Sequence, residues 1–327
     1  MPITKFAALV AVLLLALPLA AEGQHAGKPV VGFLAAGTPT GWAHLVAAFN
    51  EGLKEKGYTD GDNITIEYRW AEGKFDRLPA LAAELVNRRV SAMLAGGGRV
   101  TALRAKEATS TIPIIFVMGN DPVQGGIVNS LGRPSGNLTG VTLFSAELGA
   151  KRLELLRELV PNKAVVGLLE NPRNPNLPNF MQSLREAVRV GGQRLIVVHA
   201  TDASELEAAF ATLAREKVGA LLVSPDPFFN SSRPLVVSLS ARYRIPTIYT
   251  LRDYVLAGGL ISYGSSFPGA YHQAGIYVGR ILKGDKPANL PVLQPSKFEL
   301  VINLKTATAL GLTIPPSVLV RADLVIE

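Results

Sequence analysis

Cysteine is absent from this 327-residue chain. That excludes disulfides, thiolate nucleophiles, cysteine-rich zinc sites and a lipid anchor on an N-terminal cysteine. Histidine is scarce, with four copies. His25 follows the apolar N-terminal stretch, His44 falls in a helical pattern, His199 ends a strand and His272 sits in a late helix. None stands at a recognisable catalytic spacing from Ser, Asp or Glu, and no metal-ligand cluster exists. An enzyme needs a nucleophile, a base or a metal, so catalysis, cofactors and metals are not expected. Basic stripes are missing too. The net charge is +7, yet Lys and Arg are scattered, densest at Arg88-Arg89 and Arg242/Arg244. Without a stripe interleaved with aromatics, nucleic acid is not an expected partner. A solvated basic surface, suited to an anionic ligand or a membrane partner, remains.

After residue 23 no apolar run approaches the roughly 20 residues of a membrane-spanning helix. Residues 1–23 have a different grammar: Lys5, then an apolar run from Ala7 to Leu17, then a small-residue exit from Pro18 to Gly23. This is the pattern of a secretory signal peptide, with cleavage expected after Ala21 or Gly23. The expected location is the periplasm of a two-membrane bacterium, where an unanchored exported protein is retained.

The full chain is 48% hydrophobic in composition, ample for two cores. Strand and helix alternate from Val30 onward. Val30–Leu34, Ile64–Tyr68, Ala92–Ala95 and Ile112–Val117 read as strands. Between them, 42–56, 77–89 and the stretch ending at Ala108 have helical spacing. After Thr142 the pattern restarts, with strands at 164–169, 194–199, 220–223, 247–249 and 260–263. Helices are expected at 148–159, 178–190, 204–216 and 233–243. The tail adds a helix over 271–282, a strand over 298–302 and a helix over 305–310. Such alternation predicts two α/β halves built on parallel sheets with right-handed crossovers.

The most distinctive stretch runs from Thr111 to Thr142: a buried strand, a polar tip at Gly119-Asn120-Asp121-Pro122, and a turn of helix expected at 126–130. The turn residues Arg133-Pro134-Ser135-Gly136-Asn137 follow, then a short strand from Leu138. Its pattern, DPV-x-x-G-x-V-x-S-L-x-R-P-x-G-N-x-T-G-V, resembles the signature of ABC-transporter substrate-binding proteins. The group it is similar to is the tryptophan/tyrosine type, with the type I periplasmic-binding-protein fold. Asn171-Pro172 with Asn174-Pro175, Leu222-Val223 before Asp226-Pro227, Arg244-Ile245-Pro246 and the segment from Lys297 to Pro315 extend the match over nearly all of the chain. The resemblance implies two similar doubly wound lobes joined by a three-segment hinge. Lobe 1 would hold 28–142 plus 265–290, and lobe 2 would hold 143–264 plus 291–327. It further implies a monomer that delivers an aromatic amino acid or aromatic carboxylate to an ABC permease in the inner membrane. FPGAYHQ at 267–273 departs from the family pattern, which leaves the ligand less defined than the fold.

In open parallel sheets ligands bind beyond the carboxyl ends of the strands. Those ends supply the candidates Gly37, Thr38, Gly97, Gly98, Asn120, Asp121, Thr142 and Phe144 from the first half. Asn171, Asn174, Asp226, Phe228, Tyr249 and Tyr263 come from the second. Each has a plainer role open to it. The Gly96-Gly97-Gly98 run lacks the Lys-Ser/Thr of a phosphate loop and serves equally as a tight turn or as N–H donors to a ligand. Thr38 could cap a helix. Asp121 and Asp226 could form turns or face an ammonium group. The aromatic rings could be core or could sandwich a planar ligand. The alternatives at the level of function are a periplasmic sensor subunit using the same lobes, and a small-molecule enzyme on the same scaffold.

Overall fold

A computed structural model describes residues 27–134, 136–145, 148–161 and 165–327. The signal-peptide expectation for residues 1–23, and His25, lie outside the described residues.

The first lobe is a five-stranded, all-parallel sheet in the order β2-β1-β3-β4-β5. Its strands are β1 (Val30–Ala35), β2 (Thr65–Trp70), β3 (Ala92–Gly96), β4 (Ile114–Met118) and β5 (Leu138–Thr142), connected through helices α1 (Ala43–Glu55), α2 (Leu78–Asn87) and α3 (Arg99–Ala108). β3 and β4 are buried along their whole length, which is why they read as continuous apolar runs.

Helix α4 (Gly149–Leu159) opens the second lobe. It is followed by β6 (Val165–Glu170), α5 (Pro178–Val190), β7 (Arg194–His199), α6 (Ala203–Arg215), β8 (Ala220–Val223), α7 (Pro227–Ser231), α8 (Arg233–Arg242), β9 (Thr247–Tyr249), α9 (Arg252–Leu256) and β10 (Ile261–Gly264). The chain then returns to the first lobe as α10 (Phe267–Leu282). It ends in the second lobe with β11 (Glu299–Asn303), α11 (Leu304–Ala309), α12 (Pro316–Leu319) and β12 (Leu324–Ile326). The second sheet is seven-stranded, β12-β11-β10-β9-β8-β6-β7, parallel except where β11 runs against β10. Among the described residues no helix is long and apolar enough to cross a membrane.

Each sheet is covered on both faces by apolar side chains. In the first lobe α1 and α10 pack on one face. Two glycines let them approach: a Cβ on Gly52 would lie 2.0 Å from the His272 carbonyl oxygen, and one on Gly275 would lie 2.1 Å from that of Phe49. Helix α10 starts four residues before the expected Tyr271, because Ser266 accepts the Gly269 N–H and Pro268 fits the first turn.

The distinctive motif is largely structural. Asn137 donates to the carbonyls of Thr109 and Ile112, pinning the end of α3 to the entry of β4. Buried Thr139 donates to the Leu290 carbonyl. A Cβ on Gly140 would fall 2.1 Å from the Phe116 oxygen. The helical turn expected at 126–130 is instead a series of hydrogen-bonded turns. Gly126, at φ +71°, takes a left-handed conformation that a helix does not continue through.

Three strands of chain join the lobes. The first leaves β5 through Leu143 and Phe144, the second joins β10 to α10, and the third runs from Leu293, bridged to Val141, to β11. Phe144 has φ +46°, a conformation of costly occurrence for a bulky residue and frequent at switch points. Ser265 donates to the Leu143 carbonyl, tying the first two crossings together.

Candidate functional site

The lobes face each other across a cleft at the carboxyl ends of their strands. It encloses about 520 Å³ not filled by protein atoms, part of it open to solvent. The first lobe contributes Trp42, Gly97, Gly98, the segment Val117 to Asn120, Leu143 and Ser145; the second contributes Asn174, Asn176, Pro225 to Pro227 and Asn230. Phe267, at the second crossing, completes the wall and packs against cores of both lobes.

Glycine shapes one side. Gly97 and Gly98 have φ of +109° and +111°, open to glycine and strained for other residues. A Cβ on Gly97 would stand 2.5 Å from that of Ala36, and one on Gly98 would stand 2.8 Å from Asn176 Nδ2. The Trp42 indole folds back over Gly37, where a Cβ would lie 2.2 Å from the ring. It meets Tyr271 edge-on at 5.9 Å and Trp70 edge-on at 6.4 Å. An aromatic floor thus reaches the cleft from the first-lobe core.

The opposite wall is organised by Asp226, which is 1% exposed. One carboxylate oxygen accepts the N–H groups of Phe228 and Phe229 at 2.8 and 3.2 Å, capping α7. The other accepts the side-chain amides of Asn171 and Asn174 at 3.3 and 2.8 Å. Burial pushes its pKa up to about 6, against the opposing pull of these hydrogen bonds.

Direct contacts close the rim. A Cβ on Gly41 would lie 2.6 Å from Ser231 Cα in the other lobe. His44 Nε2 lies 3.6 Å from the Asp253 carboxylate across the cleft. Burial lowers the His44 pKa, Asp253 opposes that, and Arg233 adds to it.

Of the candidate residues, Gly97, Gly98, Asn120, Asn174 and Asp226 line the cleft. Gly37 and Asn171 stand behind lining residues as supports. Thr142 is buried at the hinge and donates to the Asn120 carbonyl. Thr38 accepts the Gly41 N–H in the turn before α1 and does not cap the helix. Asp121 caps its own turn through the N–H groups of Val123 and Gln124. Phe144 lies in the hinge. Phe228 packs on Phe229 outside the cleft lining. Tyr249 is core: it stacks on Tyr254 at 4.6 Å and donates to Ser240. Tyr263 leans on the second-lobe core beside Phe298.

The lining residues Trp42, Ser145, Asn176, Asn230 and Phe267 were not among the sequence candidates. Trp42 read as a helix start, and Phe267 lay ahead of the helix expected over 271–282; the available signal was a large ring at the first residue after a strand-end loop. Among the described residues no group of three His, Asp or Glu is placed to hold a metal.

A two-lobed α/β molecule with a ring-floored cleft at the hinge, edged by asparagines and Asp226, has the form of a solute-binding protein. The model of the family "ABC transporter substrate binding protein" matches residues 40–326, and the chain belongs to that family. The architecture is the periplasmic-binding-protein type I fold. A "tyrosine-binding protein" of Clostridioides difficile is 29% identical over 264 residues, covering 81% of this chain and 75% of that protein. The crystal structure of an ABC domain from Streptococcus pneumoniae in complex with L-Trp is 27% identical, with TM-score 0.79, over 92% of this chain and 100% of that one. A conserved domain protein of Vibrio cholerae, also 27% identical, superposes with TM-score 0.82 over 91% of this chain and all of that one.

Proposed function

We propose that this protein is the extracytoplasmic solute-binding component of an ABC importer, and that its ligand is an aromatic amino acid held between the lobes. The observation that carries the reading is the cleft itself, which joins ring surfaces of Trp42 and Phe267 to a polar rim supplied by both lobes. Relatives named for tyrosine binding and crystallised with L-Trp support the ligand class. In this reading the side chain of the ligand packs on the rings. Gly97 and Gly98, at the N-terminus of α3, receive its carboxylate, with Asn120 and Asn174 alongside. The ionised wall at Asp226 favours the positive charge of its amino group.

The moving bodies are the two lobes, with the chain crossing between them near Thr142, Gly264 and Pro291. A ligand touching both bodies only when they are closed shifts the hinge equilibrium towards closure. The closed surface then engages a permease in the inner membrane, and no bond in the ligand is made or broken. Residues 1–23 direct export to the periplasm and are removed.

The test is a thermal-shift screen of the mature protein against amino acids, aromatic acids, sugars and purines. Binding to the native state raises the melting temperature by mass action. Stabilisation by L-tryptophan or L-tyrosine without product formation is expected. Stabilisation by sugars or nucleosides alone would overturn the ligand assignment.

A further inference from the structure

The loop after β6 reads Asn171-Pro172-Arg173-Asn174-Pro175-Asn176, and its asparagines are wired in series. Asp226 accepts from the Asn171 and Asn174 amides while also capping α7, so four donors fill the acceptor positions of one carboxylate. Fixed in this way, Asn174 turns its Oδ1 towards the backbone of Asn176 and accepts its N–H at 3.0 Å. Asn171 does the same for the N–H of Arg173.

Asn176 then crosses the cleft. Its Oδ1 accepts the Val100 N–H at 3.1 Å. Its backbone carbonyl accepts Asn120 Nδ2 at 3.2 Å. Both partners belong to the first lobe. The Val100 N–H is one of the first-turn donors of α3 that no carbonyl within the helix can reach, and here its acceptor comes from the other lobe. Gly98 leaves room for this approach, since a Cβ there would collide with the Asn176 amide.

We propose that Asn176 is a cross-lobe latch whose position is set by Asp226, and that Asp226 acts on closure through the asparagine series, not by touching the ligand. The proposal rests on the solute-binding reading only in taking lobe closure as the functional step. Every bond in the series joins two groups of the protein itself. The latch therefore sets how much of the unliganded protein is closed, and through that the ligand affinity.

The experiment measures the distance between lobes in unliganded full-length mature protein. The chain has no native cysteine, so Ala80→Cys and Ala208→Cys on exposed faces of α2 and α6 take spin labels cleanly. Asn176→Ala removes the side-chain bond to Val100 and leaves the backbone one to Asn120; it is expected to lower the closed-to-open ratio about tenfold, the scale of one lost hydrogen bond. Asn176→Asp keeps the acceptor, adds a charge that the N-terminus of α3 favours, and is expected to stay as closed as the parent. Asp226 draws its hydrogen bonds from Asn171, Asn174, Phe228 and Phe229 of its own lobe, and Asp226→Asn is expected to open the protein as Asn176→Ala does. Unchanged distances in Asn176→Ala would overturn the latch. Equal opening in Asn176→Ala and Asn176→Asp would also overturn it, because a merely structural role makes no distinction between them. A closed Asp226→Asn would overturn the series. Because no ligand is added, failure here is separate from failure of the amino-acid assignment.

Discussion

Gly41→Ala drives a one-atom wedge between the lobes. Gly41 precedes α1, and Ser231 ends α7 across the cleft. The added Cβ would lie 2.6 Å from Ser231 Cα and 2.7 Å from its Cβ and Oγ, against the roughly 3.5–4 Å at which such atoms rest. The serine cannot swing aside, because the nearest atom is backbone and its hydroxyl donates to Pro227 at 3.0 Å. About 1 Å of separation is therefore needed at the rim. Overpacking of this size costs about 1–3 kcal/mol, and here only the closed state bears it. Affinity should fall about 5- to 150-fold, while small-angle scattering shows a larger radius of gyration for the unliganded protein. The melting temperature of the unliganded protein should barely move, since neither lobe core is touched. Unchanged affinity and unchanged scattering would refute the reasoning. A large drop in melting temperature would also refute it, by placing the clash inside a lobe.

Gly52→Ala and Gly275→Ala should act oppositely, lowering stability without a specific effect on closure. Each new Cβ meets backbone across the α1–α10 contact, and a loss of about 3 kcal/mol or more in chemical denaturation is expected. Trp42→Ala removes the ring that joins the first-lobe core to the cleft; it should cost about 3 kcal/mol or more in stability and abolish the thermal shift with aromatic amino acids. Asp226 has a folded pKa raised from 3.8 to about 6, so the folded state holds its proton more tightly than the unfolded chain. The associated stability is fully present below pH 3.8 and is lost as pH rises through 6, a difference of about 3 kcal/mol at neutral pH. In urea melts from pH 4 to 7, Asp226→Asn should flatten that part of the profile, and an unaltered slope would contradict the assignment.

The alternation of strand and helix was legible because parallel strands buried on both faces carry unbroken apolar runs, as in Ile114–Met118. The position of the cleft was legible from the strand ends, which is why the candidates Gly97, Gly98, Asn120, Asn174 and Asp226 fall on its lining. What a strand end does not reveal is which face a side chain takes. Tyr249 sits at such an end yet turns into the core against Tyr254. Trp42 was hidden for the converse reason: its ring reaches the cleft only by folding over Gly37, a contact set by tertiary packing. Asn176 lies in a proline-rich turn, and its partners Val100 and Asn120 are 76 and 56 residues away. Helix α7 was missed because Asp226-Pro227 reads as a turn, while in the structure it is a cap followed by proline in the first helical turn.

The most direct test of the account is calorimetric titration of L-tryptophan and L-tyrosine into the mature protein, beside D-glucose as a control. Saturable one-to-one binding of at least one aromatic amino acid is expected, weakened by Gly41→Ala, with no heat from the sugar. Saturable binding of the sugar with silence from both amino acids would contradict it.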